Sequence, residues 1–174
     1  MESRAKLFGH PVHPMLIVLP LGLLSAAVVF DVVHLLTDDA AFRTVAFWNI
    51  AAGIVGGLLA AVFGVWDWMH IPGETRAKRI GLLHGGGNAV VLVLFAISWL
   101  LRAGAVDYEA SALAYVFSFA GLALAGVTGW LGGELVDRLG VGVDPGANLD
   151  APSSLSGAPA AGDLRAAGPR SGRP

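Results

Sequence analysis

Apolar residues gather into four long runs, Met15 to Leu36, Ala46 to Met69, Ile80 to Leu101 and Ala112 to Leu135, each of 22 to 24 residues. At about 1.5 Å of rise per residue, each run reaches roughly 33–36 Å as a helix, enough to cross a hydrocarbon core of about 30 Å with some tilt. Backbone amides in lipid must be satisfied within their own segment, which selects helices. Connecting runs of only 9 to 10 residues then predict antiparallel neighbours, an all-α, membrane-embedded up-down-up-down four-helix bundle. The first run is longer than the roughly 7–15 apolar residues of a secretory leader and lacks a small-x-small cleavage site followed by polar sequence, so it reads as a retained span.

Composition agrees with a bilayer as solvent. Hydrophobic residues make up 55% and charged residues 14% of the 174, against about 25% charged in soluble domains. A net charge of −2 with scattered basic residues has none of the basic footprint of a nucleic-acid binder. The absence of cysteine excludes disulfides, thiolate zinc sites, cysteine nucleophiles and cysteine-held iron–sulfur clusters within this chain.

Six basic residues flank one side of the bundle (Arg4, Lys6, Arg76, Lys78, Arg79 and Arg138), against Arg43 and Arg102 on the other. That asymmetry predicts a multi-pass bacterial inner-membrane protein with both termini cytoplasmic. Trp48 and Trp99 then mark outer helix ends, and Trp66, Trp68 and Trp130 inner ones. The domain reading is a cytoplasmic N-terminal segment over 1–14, a membrane domain over 15–143 and a tail over 144–174. In that tail 21 of 31 residues are Gly, Pro, Ala or Ser and none is aromatic, a composition that predicts disorder.

Small residues recur every four positions at Gly56, Ala60 and Gly64, at Gly81, Gly85 and Ala89, and at Ala125, Gly129 and Gly133. Such stripes let helix backbones approach. The run Gly85, Gly86, Gly87 beside His84 clears more space than one contact face needs, so either a neighbouring helix or a flat group is expected there.

Candidate chemistry rests on ionisable residues at the helix ends, because a charge at mid-bilayer costs on the order of 2.5–3.5 kcal/mol on insertion scales. In Gly9-His10-Pro11-Val12-His13-Pro14, Pro14 suits the first helical position and His13 the residue before it, with His10 solvated. His84 lies one turn into the third helix, with Asn88 one turn deeper on the same face. An antiparallel bundle brings Asp67 and Glu134 to similar depth. At the opposite end, Asp31 reads as glue bonding Asn49 or a backbone amide, and His34 as interfacial. His13 precedes Asp67 by 54 residues and His84 precedes Glu134 by 50. Two related hairpins would produce this; so would the tolerance of polar residues at helix ends.

The opening GHPVHPMLIVLPLGLL, Asp31, Gly64-x-x-Asp67, His84, and Gly132-Gly133 ahead of LVDRLGVGV together resemble the bacterial family known as domain of unknown function 2231, over roughly Leu7 to Val143. The resemblance implies a four-helix membrane domain, sometimes fused to Rieske-type domains, with no assigned activity and a lean toward redox surroundings.

Three functional readings follow. In the first, the chain is an accessory or scaffold subunit whose His/Asp/Glu cluster joins helices. In the second, it binds haem b for electron transfer, with His13 and His84 as axial ligands and Asp67, Asn88 and Glu134 as supporting residues. In the third, His13, His84, Asp67 and Glu134 bind a metal or relay protons. The partners are the bilayer together with a redox partner or a second copy. No Ser-His-Asp set, phosphate-cradling loop or paired catalytic carboxylate is present, so no enzyme is assigned.

Overall fold

A computed structural model describes residues 1–161, so 162–174 of the expected tail lie outside the described residues. Four helices are long and apolar enough to cross a membrane: α1 (Val12–Thr37), α2 (Ala40–Met69), α3 (Arg76–Ala103) and α4 (Ala112–Arg138). They pack against one another, most extensively as the pairs α1/α2 and α3/α4.

The helices run further than their apolar cores. α2 begins at Ala40 rather than Ala46 because Asp39 caps it, its carboxylate accepting from the Ala41 amide at 2.9 Å. Thr75 and Ser111 cap α3 and α4 in the same way, through the Lys78 and Ala114 amides. Each cap satisfies a terminal amide that has no partner inside its helix. α1 begins at Val12 with Pro11 as its cap, which corrects the expectation that Pro14 opens the helix. Pro14 is the third helical residue, still within the first turn where a missing amide costs nothing. α1 is interrupted at Ile17, and α4 closes in a π turn over Glu134–Arg138.

Ahead of α1, β1 (Lys6–Leu7) and β2 (His10–Pro11) form a two-stranded hairpin. Its turn residues Phe8 and Gly9 have φ of 52° and 83°, the positive values a type I′ turn requires.

Leu24, Ala27, Val28, Ala46, Ile50, Val91 and Phe95 form the central core. Outward faces are apolar too: Leu21, Val62, Leu83 and Val116 are each more than half exposed. Lipid tails are as apolar as leucine, so burial among helices gains little by transfer, and close packing and polar contacts must supply the association. Glycines make the packing close. A Cβ at Gly53 would meet Leu24 Cδ2 at 2.6 Å, one at Gly57 would meet Leu92 Cδ2 at 2.6 Å, and one at Gly121 would meet Phe95 Cε2 at 2.8 Å.

Candidate functional site

The start of α1 lies beside the end of α2, and the start of α3 beside the end of α4. His13 on α1 directs its Nδ1 to the Ala60 carbonyl of α2 at 2.9 Å. His84 on α3 directs its Nδ1 to the Thr128 carbonyl of α4 at 2.8 Å. A carbonyl only accepts, so both Nδ1 atoms donate, and in the neutral ring the lone pair then lies on Nε2. The two rings face each other across the bundle with centroids 6.3 Å apart and planes at 88°.

Each imidazole rests on a glycine of the opposing helix. A Cβ at Gly64 would come within 2.9 Å of His13 Cε1, and one at Gly132 within 3.0 Å of His84 Cε1. The Asn88 amide nitrogen lies 3.3 Å from His84 Nε2 and donates to the His84 carbonyl at 2.9 Å. The Thr128 hydroxyl donates to Asn88 Oδ1 at 2.9 Å, fixing the amide.

The carboxylates expected to support these imidazoles bond elsewhere. Asp67 accepts from the Ser3 hydroxyl at 2.6 Å and the Arg4 amide at 2.9 Å, tying the N-terminal segment to the end of α2. Glu134 accepts from Arg76 Nη2 at 2.6 Å, tying the end of α4 to the start of α3. Among the described residues, no three His, Asp or Glu side chains come together in a group able to hold a metal. The N-terminal segment has a second anchor in Lys6. Bonding to the Asp144 carboxylate, and secondarily to Glu2, raises its pKa above the ordinary lysine value.

The run Gly85, Gly86, Gly87 divides. A Cβ at Gly87 would strike Thr128 Cγ2 at 2.5 Å, whereas Gly85 and Gly86 have nothing within 4 Å of that position. One of the three lets helices meet; the other two lie on the exposed outer face of α3, so the flat group expected beside His84 finds no cradle in them.

At the far end, Asp31 and Arg102 form a bidentate ion pair, Nη1 to Oδ1 at 2.6 Å and Nη2 to Oδ2 at 2.7 Å. Their side chains are 1% and 0% exposed. Ser118 donates to Asp31 at 3.2 Å, and Arg102 Nε donates to Ser98 Oγ at 3.3 Å. Asp31 therefore bonds Arg102 rather than Asn49. Arg102 is an interior residue, not a loop charge. His34 is buried as well, its Nδ1 on the Asp39 carbonyl at 3.0 Å. One signal for the ion pair was present in the sequence: Asp31 precedes Arg102 by 71 residues, the spacing that also separates His13 from His84.

No curated protein and no solved structure matches the chain. A family model described as "Predicted membrane protein (DUF2231)" matches residues 9–145. The chain belongs to this membrane-protein family.

Proposed function

We propose that this protein is a membrane-embedded electron-transfer bundle of the b-type haem class, with His13 and His84 as the residues that would hold the haem iron. The observation that carries this reading is the opposed pair of imidazoles. Each has its Nδ1 proton committed to a backbone carbonyl, which in the neutral ring leaves Nε2 as the ligating atom, with the Asn88 amide resting on that of His84. The ring centres of His13 and His84 stand 6.3 Å apart, so both imidazoles could serve one bound group. When bound, haem supplies one-electron chemistry, and two neutral imidazoles are ligands it accepts.

The protein's own part is to bind and orient. Ala60 and Thr128 carbonyls set the tautomers, Gly64 and Gly132 set how deep the rings sit, and the Asn88 amide must turn away from His84 Nε2 for that nitrogen to bind. Asp67 and Glu134 serve the reading only indirectly, by holding the N-terminal segment and the α3/α4 end in place.

The accessory-scaffold reading draws on a different observation: the buried polar groups Asp31, Arg102, Ser98 and Ser118 satisfy one another, as interhelical glue does. A metal or proton-relay site would rest on the two imidazoles, without Asp67 and Glu134. A dithionite-reduced minus oxidised absorption spectrum of detergent-purified protein, with metal analysis of the same sample, separates the three. Sharp reduced haem bands lost in both His13→Ala and His84→Ala support the haem reading. Stoichiometric metal without haem moves the assignment to a metal site, and neither leaves the scaffold.

The orientation we propose places the histidine end in the cytoplasm of a bacterial inner membrane, on the six basic residues at that end against Arg43 at the other, Arg102 being interior. A reporter fused after Arg79 should read cytoplasmic and one after Asp107 external; the reverse pattern rejects the orientation.

A further inference from the structure

We infer that residues 12–69 and 76–138 are two copies of one helical hairpin, and that the Asp31–Arg102 pair makes each copy dock on the other rather than on a second copy of itself. The inference rests on equivalent positions making equivalent contacts. His13 and His84, Leu24 and Phe95, and Asp31 and Arg102 each stand 71 apart on α1 and α3. Gly53 and Gly121, Ala60 and Thr128, and Gly64 and Gly132 each stand 68 apart on α2 and α4.

Partners are preserved along with spacing. Gly53 packs on Leu24 as Gly121 packs on Phe95, and Gly64 on His13 as Gly132 on His84. The His13 ring bonds a carbonyl 47 residues on, the His84 ring one 44 residues on. The second hairpin is therefore three residues shorter between these points, and otherwise in register. Burial repeats as well: Leu24, Ala27 and Asp31 are buried, and so are Phe95, Ser98 and Arg102.

Two equivalent residues that touch each other lie on the axis relating the copies. His13 with His84 and Asp31 with Arg102 are such pairs, at opposite ends of α1 and α3. The axis therefore runs along the helices, as for parallel repeats about the membrane normal. At its histidine end the two copies place the same residue on the axis, His13 and His84; at its other end they place opposite charges. Docking two first hairpins would bury Asp31 against Asp31, and docking two second hairpins Arg102 against Arg102. Like charges brought together out of water oppose such pairing strongly, which is specificity obtained by penalising the wrong partner.

The test uses the full chain, which has no cysteine of its own, with Ala27→Cys placed one turn before Asp31 on the buried face. An inter-chain disulfide at this position reports two first hairpins facing each other. The native pair should give little cross-linked dimer on oxidation. The neutral pair Asp31→Leu with Arg102→Met should give several-fold more, and the exchanged pair Asp31→Arg with Arg102→Asp should return to the native level. A neutral pair that cross-links no more than the native one, or an exchanged pair that cross-links as much as the neutral one, overturns the inference. A second arm covers variants that fail to fold. Chains carrying Asp31→Arg alone and Arg102→Asp alone, each self-repelling, should accumulate in the membrane when co-expressed and not when expressed separately. Failure of co-expression to raise either chain above its separate level also overturns it.

Discussion

Replacing Arg102 with methionine removes the guanidinium while keeping much of its bulk, and isolates the cost of an orphaned charge. Asp31 is 1% exposed and now receives two hydrogen bonds from Arg102 and one from Ser118. In Arg102→Met the Ser118 hydroxyl remains as its donor in an apolar interior. Two magnitudes compete. Polar contacts between membrane helices average about 0.6 kcal/mol, whereas breaking a buried ion pair from one side costs about 3–5 kcal/mol, because the surviving charge is left uncompensated. Near-zero exposure and bidentate geometry make the second the governing value, a loss of roughly two to three and a half orders of magnitude in the folded-to-unfolded ratio. Removing both charges by Asp31→Leu with Arg102→Met should restore stability to within about 1 kcal/mol of the native chain. Reversible unfolding in mixed detergent micelles, followed by tryptophan fluorescence with Trp99 on the same helix, measures both. A single-variant loss below about 1 kcal/mol, or a double variant no more stable than the single, would refute the reasoning.

Glycines at the histidine end give a paired comparison. Gly64→Ala and Gly132→Ala place a carbon about 3 Å from an imidazole and should each cost about 1–3 kcal/mol by overpacking, with displaced histidine resonances in NMR spectra. Gly85→Ala and Gly86→Ala enter open space and should stabilise α3 by about 0.5–1 kcal/mol in the same unfolding assay; equal effects at all four sites would contradict the contacts described. Asp67→Asn weakens the acceptor that holds Ser3 and Arg4, so limited proteolysis near the N-terminus should accelerate while the bundle stays intact. An unchanged cleavage rate would show that the Met1 and Lys6 contacts hold the segment without Asp67.

Four spans were legible because length and continuous apolarity are set by the bilayer, not by any particular contact. His13 and His84 stood out in the sequence because an imidazole near the end of a lipid-embedded helix needs a partner, and each meets a backbone carbonyl of the neighbouring helix. The partners themselves were not legible. Asp67 and Glu134 share the depth of the histidines, yet a short carboxylate takes the nearest donor, here the Ser3 hydroxyl and the Arg76 guanidinium. Arg102 was misplaced because its position after the apolar run of α3 reads as a flank, while α3 continues to Ala103 and carries the side chain inward. The repeat was read through His-to-carboxylate spacings, which differ, instead of through His13/His84 and Asp31/Arg102, which agree. Backbone carbonyls of Ala60 and Thr128 leave no mark in a sequence at all.

The closed ion pair also determines how the bundle responds to voltage. A single charge moved across the bilayer couples to the membrane potential with about 2.3 kcal/mol per 100 mV. Asp31 and Arg102 are fixed to each other on two helices of different hairpins, so they form a short dipole with no net charge. The transmembrane field therefore has almost no lever on this pair, although each of its charges alone would give it one.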